Sequence, residues 1–224
     1  MTENPAPDEH PAQPHPSDQP QPQPHPSPHP QSAPQPRPAG GPPALLTENT
    51  LIVQQTRSLM SNDFSLYRSD GQLLGQVLTT GSMAGRFLAG NRSFDLVDQQ
   101  GNLLIKIYDP FDFGLDRYEI HNPDGSLFAQ VQKQFSFMHK RLLIQMPGLS
   151  LDLEGSLFEY DFAIRTKGHL AAQVSRQWGG LIAGLRGKSR YQVSFDPVAP
   201  EPVRLAILGG LVALDLIRAK DARD

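Results

Sequence analysis

The sequence contains no cysteine among its 224 residues, which excludes a disulfide framework, a zinc–thiolate site and palmitoylation. It also lacks a long apolar run. The most apolar stretch, Leu205 to Ile217, would rise only about 20 Å as a helix, well short of the roughly 30 Å hydrocarbon core of a bilayer. The first residues lack the apolar segment of a signal peptide, so we expect a cytoplasmic protein. Positive and negative charges nearly balance, with 20 Lys and Arg against 23 Asp and Glu, and this predicts no nucleic-acid partner.

Residues 1–43 have hardly an apolar side chain larger than alanine. Sixteen of the 22 prolines and four of the seven histidines lie there, so the segment cannot form a core and is predicted to be a disordered, extended tail. From Pro20 onward, proline occupies every second residue. That run is either a solvated spacer or a ligand for a protein partner that binds PxxP segments. The tail has a net charge of −3, so the predicted domain, residues 44–224, is near neutral.

A hairpin pattern recurs four times in the domain. Each unit has an aromatic residue and an aliphatic residue two positions apart, then a turn with glycine, then a leucine two residues after the glycine. The units are Phe64 to Val77, Phe94 to Ile107, Tyr118 to Val131 and Phe162 to Val174. Further strands are predicted at Leu51 to Gln55, Leu142 to Met146, Leu149 to Leu153 and Tyr191 to Phe195. About twelve antiparallel strands in successive hairpins predict a mainly β domain, a meander that closes into a barrel.

The stretch from Leu205 to Ile217 is apolar on every face, so a helix formed by it must be enclosed. Eight strands already give a barrel interior that side chains fill, and about twelve strands need something more. We therefore predict a central helix at about residues 202–219, in which Gly209 and Gly210 permit close approach. Asp215 inside it must find a partner, and Arg218 is the near candidate; a lipid or proton role is the alternative. The residues predicted to be buried are Leu205, Ile207, Leu208, Leu211, Val212, Leu214 and Asp215.

A barrel around a C-terminal helix resembles the tubby-like proteins, and several stretches resemble one branch of them. Those stretches are LIVQQ from Leu51, the hairpins with their glycines, VSRQWGG from Val174, and YQVSFDP from Tyr191 followed by the final helix. They are similar to the phospholipid scramblases and the LURP-one-related proteins over nearly all of residues 45–220. The resemblance implies a bacterial-type member that binds or redistributes phospholipids at a membrane surface without covalent chemistry. The alternative is a soluble scaffold whose tail recruits a protein partner.

The sequence departs from the calcium-dependent scramblases. Those proteins carry an acidic loop before the last strand, whereas this loop reads LRGKSRY. Calcium requires acidic oxygen ligands, so no calcium site and no cofactor are expected. The cysteine cluster of the animal members is absent as well. Asp109, Asp112 and Asp116 lack the glycine and the final glutamate of an EF-hand, and we predict no metal site there.

Two basic clusters are candidates for binding an anionic phospholipid head group. The first consists of Arg186, Lys188 and Arg190, for which a solvated hairpin tip is the alternative. The second consists of Lys133, Lys140 and Arg141, next to aromatic residues that either pack in the core or dip into a membrane interface. Trp178 is likewise either a core residue or an interfacial anchor.

No enzyme is predicted, because GxSxG, HExxH, P-loop and dinucleotide-binding motifs do not occur in the sequence. The expected partner is an anionic phospholipid or membrane surface, and the expected location is peripheral, on the inner face of the plasma membrane.

Overall fold

The computed structural model describes residues 41–58, 61–80, 92–109, 117–135, 140–176 and 190–221, together with Met1. The predicted tail lies almost wholly outside these residues. The helices are α1 (Ala44–Thr47) and α2 (Glu201–Asp221), with one 3₁₀ turn at Leu157–Glu159. The strands are β1 (Thr50–Ser58), β2 (Ser61–Tyr67), β3 (Leu73–Thr80), β4 (Arg92–Asp98), β5 (Leu103–Asp109), β6 (Arg117–His121), β7 (Leu127–Phe135), β8 (Lys140–Met146), β9 (Leu149–Ser156), β10 (Asp161–Thr166), β11 (His169–Arg176) and β12 (Arg190–Phe195).

The four predicted hairpins are confirmed, and three of them share one turn. In each of the three, a glycine N–H donates to the carbonyl oxygen three residues earlier, at 2.9 to 3.0 Å. These glycines, Gly71, Gly101 and Gly125, have φ between 84° and 91°, which side chains other than glycine rarely adopt. The strand pairing shifts by one residue just before each turn. This is a type I turn followed by a bulge, and it explains why the sequence pattern repeats.

The strands form one closed antiparallel barrel, as predicted. Each strand pairs with its neighbours along the chain, and β1 closes the ring by pairing with β12. Alternate side chains therefore point inward. On β1, for example, Leu51 and Val53 belong to the core and lie opposite Val193 and Tyr191 of β12. The closed ring leaves no unpaired strand edge among the described strands.

Helix α2 supplies the centre of the core. Its residues from Ala206 to Ile217 are all buried, and Leu205 is partly buried against the same core. The helix begins one residue before the predicted start and ends two residues after the predicted end. A Cβ atom on Gly209 would lie 2.7 Å from Cδ1 of Ile120, and one on Gly210 would overlap the Ile144 side chain. The two glycines therefore admit isoleucine side chains from the barrel wall.

Arg204 anchors the first turn of α2. The side chain is buried, with 4% of the residue exposed, and its guanidinium group lies 5.2 Å from the centre of the Phe195 ring. The oxygens to which it donates are neutral, and they come from the two residues before β1 and from the segment between β12 and α2. They are the carbonyl oxygens of Ala199 (2.9 Å), Glu48 (2.8 Å), Asp196 (3.2 Å) and Pro197 (3.3 Å), and Oδ1 of Asn49 (2.9 Å). One buried cation thus joins three parts of the chain.

The two ends of the barrel differ in their connections. At one end lie the tight turns at 68–72, 98–102, 122–126, 147–148 and 167–168 and the start of α2; we call this end the turn rim. At the other end lie the last turns of α2 and the strand ends joined by the longer connections 81–91, 110–116, 136–139 and 177–189; we call it the helix-end rim. Four residues of the two predicted basic clusters lie in strands at the helix-end rim, namely Lys133, Lys140, Arg141 and Arg190. Arg141 of one cluster and Arg190 of the other therefore lie at the same end of the barrel, whereas Arg186 and Lys188 lie outside the described residues.

Candidate functional site

A cluster of polar side chains surrounds Asp215 in the core below the helix-end rim. The Asp215 side chain is only 4% exposed. Tyr160, which follows the 3₁₀ turn, donates its hydroxyl hydrogen to Oδ1, and Tyr191 at the start of β12 donates to Oδ2 at 3.0 Å. The two tyrosine rings stack with their centres 4.3 Å apart. Both carboxylate oxygens therefore have a hydrogen-bond donor, which is what a polar group at this depth requires.

Arg218 is the cation of the cluster. Its Nη1 lies 3.5 Å from Oδ1 of Asp215, and its guanidinium carbon lies 3.9 Å from the centre of the Tyr160 ring. The predicted pairing of Asp215 with Arg218 is thus present in the structure, at a distance near the upper limit for a hydrogen bond. Arg218 also stacks on the Tyr160 ring while it pairs with Asp215. Stacking on an aromatic ring favours arginine over lysine.

Burial raises the pKa of Asp215 from 3.8 to about 7, because the charged form loses its hydration, and the nearby Arg218 opposes that rise. Burial also raises the pKa of the Tyr191 hydroxyl, so Tyr191 stays protonated and can donate. Asp215 is therefore a carboxyl group whose charge changes near neutral pH. This change would alter the net charge beside Arg218.

Sequence reasoning missed both tyrosines of this cluster. Tyr191 could have been found, because alternation along β12 places it on the same face as Val193, which is in the core. Tyr160 carried no such signal. It follows the 3₁₀ turn with φ 55° and ψ 45°, a left-handed conformation that is uncommon for tyrosine, and only the fold directs its ring inward.

A second ion pair holds the last turn of α2 to the barrel. Nζ of Lys133, near the end of β7, lies 3.1 Å and 3.3 Å from the two carboxylate oxygens of Asp221. The Lys133 side chain is 7% exposed. Lys133 was predicted as a head-group candidate, and the structure places its ammonium group against the helix.

The other predicted head-group residues are distributed as follows. Arg141 is exposed near the start of β8. Arg190 is partly buried at the start of β12, and its Nε–H has no hydrogen-bond partner among the described residues. Arg186, Lys188 and Trp178 lie outside the described residues, as does the side chain of Lys140.

The turn rim carries exposed side chains of both charges, including Lys167 and several acids. Asp70, Asp124 and Glu201 are exposed there. Asp124 accepts hydrogen bonds from the backbone N–H and the hydroxyl of Ser126, and these lower the pKa of its carboxyl group. These acids close turns and begin the helix.

Residues 49–215 match the family model of the LURP-one-related proteins. That range covers most of the chain and includes all twelve strands and most of α2. The chain belongs to the LURP-one-related family. This confirms the resemblance carried by the hairpins and the final helix.

A relative and a solved structure show what the LURP-one-related chain is similar to. A phospholipid scramblase family protein of Schizosaccharomyces pombe is 24% identical over 164 residues, which cover 61% of this chain and 43% of the yeast protein. The chain therefore spans less than half the length of that relative. The X-ray structure of a protein from Arabidopsis thaliana has a TM-score of 0.51 at 17% identity and covers 79% of this chain and 96% of its own. At that identity the likeness shows the fold alone.

The part of the LURP-one-related chain that the structure describes contains neither a membrane-spanning helix nor a metal-binding group of side chains. In that part, neither helix combines the length and the apolar character needed to cross a bilayer. Among the same residues, no three His, Asp or Glu side chains come together in a group that could hold a metal ion. Asp112 and Asp116, for which no metal site was predicted, lie outside this part, whereas Asp109 ends β5.

Proposed function

We propose that this LURP-one-related domain binds anionic phospholipid head groups at the inner face of a membrane through its helix-end rim. Binding is electrostatic, needs no calcium and makes no covalent bond. The observation that supports the proposal is topological: Arg141 from one basic cluster and Arg190 from the other, far apart in sequence, lie on the same rim. The match to a phospholipid scramblase family protein supports the choice of phospholipid as the ligand.

The charge distribution sets the orientation on the membrane. Exposed Asp70, Asp124 and Glu201 would repel an anionic surface from the turn rim. The helix-end rim carries Arg141 and Arg190 at the starts of two strands, and Arg186 and Lys188 come shortly before Arg190 in the sequence. A basic group near an anionic surface contributes about 1 kcal/mol, so a few such groups give weak, salt-sensitive attachment.

Flotation with vesicles tests the binding. The protein should float with vesicles that contain about 30 mol% phosphatidylserine at low salt. The combined change Arg186→Ala, Lys188→Ala and Arg190→Ala should abolish flotation, because about 3 kcal/mol of attraction is lost. A matched control removes three cations from the other end of the barrel, with Arg68→Ala, Arg165→Ala and Lys167→Ala. This control should still float.

Two outcomes would contradict the proposal. Equal loss in both triple variants would mean that net charge, not the helix-end rim, decides binding. No flotation of the unmodified protein at low salt would instead favour the scaffold whose proline-rich tail recruits a protein partner.

Redistribution of phospholipids between leaflets is the further part of the proposal. Vesicles whose outer-leaflet fluorescent lipids are quenched chemically should lose the protected inner signal faster with the protein than without it. Calcium should not change that rate, since no acidic loop precedes β12. An unchanged rate in a preparation that floats would restrict the function to binding.

A further inference from the structure

Arg218 has a guanidinium group that is only partly used. It lies one turn before the end of α2, and 24% of its side chain is exposed. One nitrogen, Nη1, reaches Oδ1 of Asp215 at 3.5 Å, and the plane lies against the Tyr160 ring. Within the described residues, no other acceptor is bonded to this guanidinium group. The Arg218 guanidinium group is positioned by the Tyr160 ring and has further N–H donors that can bind a second acceptor.

The chemistry of the group indicates which acceptor fits. A guanidinium group presents N–H donors in a fixed planar fork, and this geometry matches two oxygens of one phosphate. Stacking on Tyr160 fixes the plane, so less conformational freedom is lost when the phosphate binds. We propose that Arg218 binds the phosphate of an anionic head group at the helix-end rim and that the Asp215 carboxylate limits its affinity. This inference rests on the proposed function and adds a residue that the sequence predicted only as the partner of Asp215.

The negative charges nearest to Arg218 determine how strongly it attracts an anion. Asp221 is bonded to Lys133 at 3.1 Å and 3.3 Å, so that carboxylate is largely neutralised. The partial negative charge at the C-terminus of α2 also opposes an anion, because Arg218 lies in the last turn of the helix. Asp215 is the closest carboxylate, and Arg218 is the only cation paired with it among the described residues. Removing the Asp215 charge should therefore strengthen phosphate binding.

Vesicle binding of single variants tests the inference. At roughly pH 8, where Asp215 is mostly ionised, Arg218→Gln should weaken binding to vesicles with about 30 mol% phosphatidylserine by about fivefold. Arg218→Lys should also weaken it, because an ammonium group cannot form the planar fork. Asp215→Asn should tighten binding by about fivefold, since it keeps the shape and removes the charge. Arg165→Gln, which removes a 41% exposed arginine at the turn rim, should change nothing.

A soluble probe separates a lipid head group from free phosphate. In NMR spectra of the full chain, the Arg218 Nε–H signal should shift when dihexanoyl phosphatidylserine is added below its micelle concentration. An equal shift with inorganic phosphate would identify a general phosphate site, and a shift with the lipid alone would identify a head-group site. Either result supports Arg218 as the binding residue. The absence of a shift with both probes would overturn the inference.

The two proposals can fail separately. If the unmodified protein floats and Arg218→Gln floats equally well, Arg218 has no part in binding and the proposed function is unaffected. If the unmodified protein does not float but the Arg218 signal shifts with phosphate, the phosphate site stands without the membrane role. A thermal melt of each variant shows whether it is folded. Should Arg218→Gln fail to fold, the NMR titration of the unmodified protein still decides between the outcomes.

Discussion

Replacing Arg204 with alanine is expected to lower the free energy of unfolding by about 3 to 5 kcal/mol, and the melting temperature by roughly 10 °C. The guanidinium group is buried and donates to five oxygens, three of them on the segment that leads from β12 into α2. Alanine would leave several of those oxygens without a donor and would also leave a cavity against Phe195. Urea unfolding followed by circular dichroism measures the change.

Two further variants show whether geometry or charge matters at this position. Arg204→Lys keeps the charge but cannot reach acceptors on both segments at once, so most of the loss should remain. Arg165→Ala removes an exposed arginine whose nearest carboxylate is 3.5 Å away, and its effect should stay below about 1 kcal/mol. Equal midpoints for Arg204→Ala and Arg165→Ala would show that the anchor contributes no stability.

Replacing Asp215 with asparagine is expected to stabilise the protein at high pH and to have little effect at low pH. The pKa of Asp215 is about 7 in the folded state against 3.8 without burial. Between these values the folded state holds a proton that the unfolded state has released, so stability falls as pH rises from about 4 to about 7. Above pH 7 the cost of a buried charge is fully present, up to about 4 kcal/mol. Asparagine removes this cost and can still accept a hydrogen bond from one tyrosine.

Unfolding curves for the unmodified protein and Asp215→Asn at about pH 5, 6, 7 and 8 measure the effect. The difference in unfolding free energy should widen with pH and level off above about pH 7. Asp124→Asn is the matched control, because that exposed carboxyl group has a lowered pKa and is already ionised over this range. If the Asp215→Asn difference were constant with pH, Asp215 would not titrate in the folded protein.

The sequence allowed the fold to be predicted because its turns have specific chemical requirements. Three of the hairpin turns need a residue with positive φ, and glycine occupies that position at Gly71, Gly101 and Gly125. The glycine therefore marks each of these turns in the sequence. The central helix was predicted because an apolar stretch without a polar face has to be enclosed. Register followed from the alternation of side chains along each strand. These are local rules, and twelve strands obey them in turn.

The candidate site depends on contacts between residues far apart in sequence, and these were harder to predict. Arg218 was found because it lies three residues from Asp215 on one helix. Tyr160 is 55 residues away from Asp215 and reaches it only through the barrel. Lys133 was predicted to face a membrane, but its partner Asp221 lies 88 residues along the chain. Sequence patterns report which face of a strand a residue occupies, and the partner on that face is set by the closure of the ring.

The order in which the chain is synthesised gives the closed ring a kinetic consequence. Strand β1 is made first but can pair with β12 only after residue 195 has been added, and α2 follows later still. Until then, the inward side chains of eleven strands have nothing central to pack on, and β1 has one unpaired edge. Chains with such long-range closure fold slowly and expose surfaces that aggregate. From the synthesis of β1 until α2 has been added, the nascent chain therefore exposes the apolar inner face of an open sheet, and we expect it to need a chaperone that shields apolar strands during that interval.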